Sequence, residues 1–353
     1  MKDNSKIQYK VFDVTGKQGF FTVKKQTTKL SEKDLRANAV VPVYSSQNSN
    51  NGIMGFTNRE PDFLIEEKPA LVFGDHTRCM DIVEYSFCAA DNVKILMPKC
   101  NNKYELIYIA SSWKKRIPDM GYSRHWRKAK KVGIELPVDN QGNPDYVFMA
   151  EYSKEKQKEL LSRYKSFIQS IIAGIDYQEV PSAHNKKWKD VSLDDLFVVK
   201  PGKRLETRNK APGNRPFIGA TDNGNGITGF VGNENTSKDN NVLGVNYNGA
   251  PCIAFYHPYD CIFSDDVKRL HLKEHADNKF IYLFFVAIFS QQKSKYSYGY
   301  KFKEQRMLRQ KLMVPVKDNG KADYEYMEQY AKNMMLKKYK QYLSFLERKE
   351  QKQ

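Results

Sequence analysis

A long internal repeat constrains this chain more than any other feature. Residues 41–56 read VPVYSSQNSNNGIMGF, and residues 215–230 read RPFIGATDNGNGITGF. Pro42 aligns with Pro216 and Phe56 with Phe230, so both ends of the motif keep an offset of 174 residues. This offset is far longer than the period of about 20–50 residues that builds a solenoid. The sequence therefore predicts a duplicated domain, with one function performed by two related but different surfaces.

The repeat continues along both halves. The offset of 174 also relates Asp91 to Asp265, Val93 to Val267, Ile107 to Ile281 and Tyr108 to Tyr282. Near the end of each half small insertions change the offset to 178, as in the pairs Pro137 and Pro315, Asp145 and Asp323, and Tyr164 and Tyr342. Each half therefore has a strand-rich region first and a long polar segment after it.

The long polar segments, at about 145–172 and 323–349, contain neither Pro nor Gly. Apolar residues recur in them every three or four positions, which is typical of one narrow helical seam, at Leu161, Tyr164, Ile168, Tyr339, Tyr342 and Leu346. We predict that the two helices, each about 40 Å long, pack as an antiparallel coiled coil about a pseudo-two-fold axis. The alternative is that each helix packs only on its own domain.

The strand-rich regions are typical of a mixed α/β (α+β) fold. Short apolar runs bounded by turn residues predict strands at 69–73, 92–96, 241–245 and 252–256. The most apolar run, 279–289, is too short to span a bilayer and predicts a buried helix. We predict domains at 1–143 and 187–320, their helices at 144–174 and 321–353, and a linker near 174–187.

The charge of the chain indicates a polyanionic partner. Its 353 residues include 58 Lys and Arg but only 41 Asp and Glu, a formal net charge of +17. A soluble chain this basic commonly binds nucleic acid, and we expect double-stranded DNA. The N-terminus is polar, without an apolar signal region, and no membrane segment is visible. We therefore expect a cytoplasmic protein.

Two kinds of segment are candidates for contacting DNA. Polar loops could read base edges, with the candidates Ser45, Ser46, Gln47, Asn48, Thr221, Asp222 and Asn223. Basic residues interleaved with aromatic residues could contact phosphates, with the candidates Lys114, Lys115, Arg116, Arg124, Arg127, Lys293, Lys295, Tyr298, Tyr300, Lys301 and Lys303. The alternatives are ordinary turn chemistry for the loops and core packing for the aromatic rings.

The cysteines raise the possibility of a metal site. Cys79 and Cys88 lie nine residues apart, as do Cys252 and Cys261. Zinc ligands are usually spaced more closely, so we favour buried reduced thiols and predict no metal site.

Motifs for catalysis are incomplete in this sequence. Residues 143–146 read NPDY, which has the wrong third residue for an adenine methyltransferase, and Asp145 and Asp323 are better interpreted as helix-capping residues. The nuclease-like letters at 61–62 and 66–68 lie too close together for separate strands. The Gly-rich run 224–229 lacks the Lys of a phosphate-binding loop. We therefore predict a non-catalytic binding protein; an enzyme with a site outside these motifs remains an alternative.

Taken together, these motifs resemble the DNA specificity subunits of type I restriction-modification systems and their type IIB relatives. The resemblance covers nearly the whole chain and is strongest in the second half, at 216–227, 298–301 and 314–327. The first half departs from the pattern, because 122–126 read YSRHW where the second half has YGYK at 298–301.

The resemblance implies a subunit without activity of its own. Each target-recognition domain would read one half of a split, asymmetric DNA target, and the helices would separate the domains and dock DNA adenine methyltransferase subunits. Those partners would carry S-adenosylmethionine and Mg, with nuclease function in the same or a third subunit, and this chain would bind no cofactor. The alternative is a nucleic-acid-binding adaptor without a methyltransferase partner.

Overall fold

A computed structural model of the chain describes residues 7–26, 29–64, 69–121, 123–296, 302 and 304–351. The chain forms two compact units, Met1–Tyr164 and Lys165–Gln353. The division falls inside the first long helix, whereas the sequence places the domain limits at 143 and 187. Those limits remain a prediction.

The first unit contains three small sheets and three helices. Its strands and helices are β1 (Tyr9–Phe12), β2 (Phe21–Lys24), β3 (Val41–Tyr44), β4 (Ile53–Thr57), β5 (Ala70–Gly74), β6 (Met80–Val83), β7 (Cys88–Ala89), β8 (Val93–Pro98), α1 (Lys103–Arg116), α2 (Trp126–Ala129), β9 (Ile134–Pro137) and α3 (Tyr146–Ala173). The sheet orders are β2-β8-β5-β6, β4-β3-β7 and β1-β9. Only the β3–β7 pair is parallel.

The second unit repeats this plan. Its strands and helices are β10 (Trp188–Ser192), α4 (Leu193–Leu196), β11 (Phe197–Pro201), β12 (Arg215–Ile218), β13 (Ile227–Val231), β14 (Val242–Asn246), β15 (Ala254–His257), β16 (Ile262–Phe263), β17 (Val267–Leu272), α5 (Lys279–Gln291), α6 (Glu304–Leu308), β18 (Lys311–Pro315) and α7 (Tyr324–Glu350). The sheet orders are β11-β17-β14-β15, β13-β12-β16 and β10-β18. The mixed α/β class, the duplication, the four strands and the buried helix that the sequence predicts are confirmed.

The helix after the central sheet corrects one part of the sequence alignment. Asn102 accepts from the backbone N–H groups of Tyr104 and Glu105 and caps α1, and Asn278 caps α5 in the same way. The two caps lie 176 residues apart. The predicted equivalence of Ile107-Tyr108 with Ile281-Tyr282 is therefore wrong by two residues, because the loop between β17 and α5 is longer than the loop between β8 and α1.

The two long helices begin where the sequence predicts. Asp145 accepts a hydrogen bond of 2.9 Å from the N–H of Phe148, and Asp323 accepts one of 3.1 Å from the N–H of Tyr326. Each carboxylate thus satisfies a backbone donor that the first helical turn leaves unpaired. The prediction that these aspartates cap helices is confirmed.

Within the second unit, residues before and after the end of α3 contact α7. Lys165 Nζ lies 2.6 Å from Glu350 Oε1, near the C-terminus of α7. Further along the chain, Gln329 Nε2 donates to the carbonyl of Asp176 at 2.9 Å. This stretch therefore runs antiparallel to α7. Of the predicted seam residues, Ile168 and Leu346 are buried, Tyr164 is exposed, and Leu161, Tyr339 and Tyr342 are half-buried. A coiled coil along the full length of both helices remains a prediction.

Equivalent strands bury different chemistry in the two units. Ile95 of β8 is buried among apolar side chains, whereas its equivalent in β17 is Arg269. The Arg269 guanidinium lies 2.9 Å from Asp239 Oδ2 and donates to the carbonyl of Pro201 at 2.8 Å. His271 contacts Asp239 at 3.0 Å through Nε2. A buried ionic cluster thus replaces part of the apolar core in the second unit.

The five cysteines are buried free thiols, as the sequence predicts. Burial raises the pKa of Cys252 and of Cys261 to about 12, so both are neutral at physiological pH.

Candidate nucleic-acid interface

The repeated loop has the same unusual backbone in both units. Three consecutive residues are left-handed in each, with φ values of 51°, 50° and 77° at 50–52 and of 57°, 54° and 75° at 224–226. Asn and Gly are the residues that tolerate this region best, which explains the repeated Asn-Gly letters. The shared part of the motif therefore fixes the loop backbone, and the variable side chains stand on a common frame.

In the first unit several candidate side chains hold the loop together. Ser46 Oγ accepts a 2.8 Å hydrogen bond from the N–H of His76. Gln47 Nε2 donates to the carbonyl of Ile53 at 2.7 Å. Ser45 is half-buried, while Asn48 is exposed at the tip. Asn48 is therefore the predicted residue of this loop with the best access to a ligand.

The second loop is held by a different set of contacts. The backbone carbonyl of Thr221 accepts from Asn246 Nδ2 at 2.9 Å, and Asn225 Nδ2 donates to the Tyr259 hydroxyl at 2.8 Å. Asp222 and Asn223 are exposed and hydrogen-bonded to each other. The polar side chains presented by the two loops therefore differ in identity and sign of charge.

A hairpin beside each loop was missed by the sequence reasoning. In the first unit it joins β5 to β6 at 75–79, and in the second it joins β14 to β15 at 247–253. The first hairpin contacts the loop through the Ser46–His76 hydrogen bond. The second contacts it through Asn246, and Asn248 Nδ2 donates to Asp266 Oδ1 at 2.7 Å. The signal was available as a change of offset, from 172 between β5 and β14 to 174 between β6 and β15.

A buried carboxyl group lies behind the first loop. A Cβ on Gly52 would lie 2.5 Å from Asp81 Oδ2, so Asp81 packs directly against the left-handed turn. Burial raises the pKa of Asp81, and the nearby Cys79 thiol and Lys114 ammonium lower it to a smaller extent. Lys114 is therefore placed near the loop.

The basic segment around Arg124 is fastened to the same hairpin. The N–H of His125 donates to the Asp75 carbonyl at 2.8 Å, and the N–H of Trp126 donates to Asp75 Oδ1 at 2.7 Å. His125 is buried, whereas Arg124 and Arg127 are exposed. The structure thus brings loop 45–51, the hairpin and Arg124 into one region of the first unit.

The other basic candidates lie in two places. Lys115 and Arg116 are exposed in the last turn of α1, and Arg116 pairs with Glu135 at 3.8 Å. These two side chains line a groove beside α3 rather than the loop. In the second unit Lys293 and Lys295 are exposed in a turn after α5, and the Lys295 ammonium acts electrostatically on Cys252 in the hairpin. Tyr298, Tyr300, Lys301 and Lys303 lie outside the described residues.

Two searches of the described part of the chain bear on other functions. No helix there is long and apolar enough to cross a membrane. Among the same residues, no group of three or more His, Cys, Asp or Glu side chains could hold a metal ion.

Comparison with known proteins places this architecture in one family. Residues 185–343 match the model of the type I restriction modification DNA specificity domain. The chain is 36% identical over 335 residues to the type II restriction enzyme BgcI specificity subunit S.BcgI of Heyndrickxia coagulans, covering 94% of this chain and 96% of that protein.

Solved structures include similar chains at low identity. The type I restriction-modification S subunit from M. genitalium is 15% identical, with 98% of this chain and 95% of that chain covered and a TM-score of 0.45. The HsdS subunit from Thermoanaerobacter tengcongensis is 9% identical, with 80% and 76% covered and a TM-score of 0.33. On the extent and identity of the match to the Heyndrickxia coagulans subunit, the chain belongs to the family of specificity subunits of restriction-modification systems.

Proposed function

We propose that each unit reads one half of a bipartite, asymmetric DNA target. The observation that carries this proposal is the pair of loops with one backbone and different side chains. The three left-handed residues recur in both units, while Asn48 stands in one loop and Asp222 and Asn223 in the other. One binding mode with two sets of reading side chains is what an asymmetric target requires.

The charges around the loops support contact with the DNA backbone. Arg124 lies beside the first hairpin, and Lys295 acts on a cysteine of the second. Lys and Arg side chains position a protein on the phosphates, while loop side chains discriminate bases. The net charge of +17 favours association with a polyanion.

The chemistry of restriction and modification belongs, in this proposal, to partner subunits. This chain docks DNA adenine methyltransferase subunits, which bind S-adenosylmethionine and Mg and are fused to, or joined by, a nuclease. Family membership and the two long helices support this assignment.

Co-expression with the methyltransferase genes of the source genome tests the proposal. A methyltransferase subunit should co-purify with this chain, and the complex should methylate one split sequence in a genome. A lone chain that captures no methyltransferase and binds DNA without sequence preference would instead identify a nucleic-acid-binding adaptor.

Point variants test the placement of the interface. Arg124→Gln and Lys295→Gln should each weaken binding of the specific duplex by roughly tenfold and reduce its salt dependence. Arg163→Gln, an exposed change on α3, is the matched control and should leave DNA affinity unchanged. Equal losses in all three variants would contradict this placement.

A further inference from the structure

Each unit carries a groove between its recognition-domain helix and its long helix. In the first unit the groove lies between α1 and α3, with Glu135 of β9 at its edge. In the second it lies between α5 and α7, with Met313 of β18 at the corresponding edge. The volume of each groove is about 850 Å³.

The two grooves are equivalent residue by residue. On the shorter helices the lining residues are related by the offset of 176 that the Asn102 and Asn278 caps establish, as for Tyr108 and Phe284. On the long helices they are related by 178, as for Tyr152 and Tyr330. The duplication has therefore preserved a second surface in each unit, built from different elements than the loops.

The chemistry of the linings differs. Ser111, Ser112 and Lys156 line the first groove. Their equivalents in the second groove are Ala287, Ile288 and Met334. The edge residue changes from Glu135 to Met313, which is 50% exposed. The first groove is therefore polar and cationic, and the second is apolar.

We infer that the two grooves seat the same amphipathic helix from two copies of one methyltransferase subunit, and that the second groove binds it more tightly. The inference rests on the proposed function and adds the stoichiometry and order of docking. Two equivalent sites in a duplicated chain fit two copies of one partner.

The linings specify the chemistry of this helix. An apolar groove between two helices is completed by the apolar face of a third. Met side chains adapt to such a face, since they are unbranched and flexible. Lys115, Arg116 and Lys156 outnumber Glu135 in the first groove, so the same helix carries acidic residues on its flank.

Unequal linings make docking stepwise. Contacts in the second groove depend on apolar burial, which salt does not weaken. Attraction in the first groove depends on exposed charges, which salt screens within a distance of about 10 Å at 0.1 M and about 3 Å at 1 M. One copy therefore occupies the second groove at high salt, and both grooves fill at low salt.

Exchange variants test the inference on the full chain. The variant Met313→Glu/Met334→Lys gives the second groove the side chains of the first, and Glu135→Met/Lys156→Met does the reverse. The altered side chains are at least about one-third exposed, so both variants should fold. Native mass spectrometry and sedimentation would count bound copies of the methyltransferase subunit recovered by co-expression, at about 0.1 M and about 1 M salt.

The native chain should hold two copies at low salt and one at high salt. The Met313→Glu/Met334→Lys variant should lose the copy retained at high salt, with its affinity reduced tenfold or more, and the reverse exchange should retain both. Two copies with equal salt dependence, or variants that behave like the native chain, would overturn the inference and leave the proposed function standing. Failure of any methyltransferase to bind would overturn both.

Discussion

Strand β8 of the first unit and strand β17 of the second hold the same place in the same four-stranded order, yet one buries Ile95 and the other Arg269. The next inward position on β15 is His257, where β6 of the first unit has Val83. Backbone pairing and register are thus retained while the interior becomes ionic. The fold of this domain depends on strand order and turns, and tolerates either kind of core.

The largest difference between the units should follow removal of the guanidinium. Arg269→Met leaves Asp239 buried with only His271 as a charged neighbour, and should lower the free energy of unfolding of the second unit by about 3–5 kcal/mol. The matched change Ile95→Met should cost the first unit less than about 1.5 kcal/mol. Hydrogen exchange of peptides from each unit would separate the two effects, and equal losses would show that the ionic cluster adds no special sensitivity.

Acid should act on the second unit more than on the first. Burial lowers the pKa of His257 from 6.5 to about 4. Between these values the unfolded chain binds a proton that the folded unit does not, so stability falls as the pH falls, by roughly 3 kcal/mol in all.

The variant His257→Val carries the residue of the first unit and should flatten this dependence between pH 6.5 and about 4. Denaturant unfolding across that range would measure it. An unchanged slope in the variant would assign the acid sensitivity to other groups.

The shared loop provides a smaller contrast. Gly52 and Gly226 have φ values of +77° and +75°, but a Cβ would lie 2.5 Å from Asp81 Oδ2 in the first unit and 3.2 Å from Ile218 Cγ2 in the second. Gly226→Ala should cost about 1–2 kcal/mol through backbone strain alone. Gly52→Ala should cost about 1 kcal/mol more, because the carboxyl group must also move. Thermal unfolding monitored separately for each unit would reverse this order if the loops packed alike.

The helix caps should show the smallest contrast. Burial raises the pKa of Asp323, but the Lys186 ammonium at 2.6 Å and the Tyr326 N–H outweigh burial and hold that pKa below its ordinary value. Its stabilisation is therefore present above pH 3.8 and is lost as the pH falls through the lowered pKa.

Asp323→Asn keeps a capping side chain and removes the ion pair, at a cost of about 1–2 kcal/mol. Asp145→Asn should cost less than about 0.5 kcal/mol. A comparable loss in both, measured by denaturant unfolding, would mean that Lys186 contributes nothing.

Periodicity and turn residues predicted much of this fold. The repeat gave the duplication, and helical spacing gave α3 and α7 to within a residue or two. Asp145 and Asp323 were identified as caps because their place before an apolar period has one common physical meaning. These features are local, so the sequence displays them directly.

Features that depend on distant contacts were harder to predict. The alignment of α1 with α5 failed by two residues, because matching letters outweighed a loop-length difference that only the caps reveal. The hairpins at 75–79 and 247–253 share few letters and were missed. Lys115 and Arg116 were grouped with the DNA candidates by charge, although side-chain direction on α1 places them in the groove.

The pairing of β1 with β9 has a consequence for synthesis of the chain. Tyr9 pairs with Pro137, and Trp188 pairs with Pro315, so each unit is closed by a strand made at its very end. Translation at about 5–20 residues per second would separate the two closures by roughly 10–35 s. That interval exceeds the folding time of most small domains. The first unit can therefore finish folding before the ribosome has delivered the strand that would let the second unit compete for it.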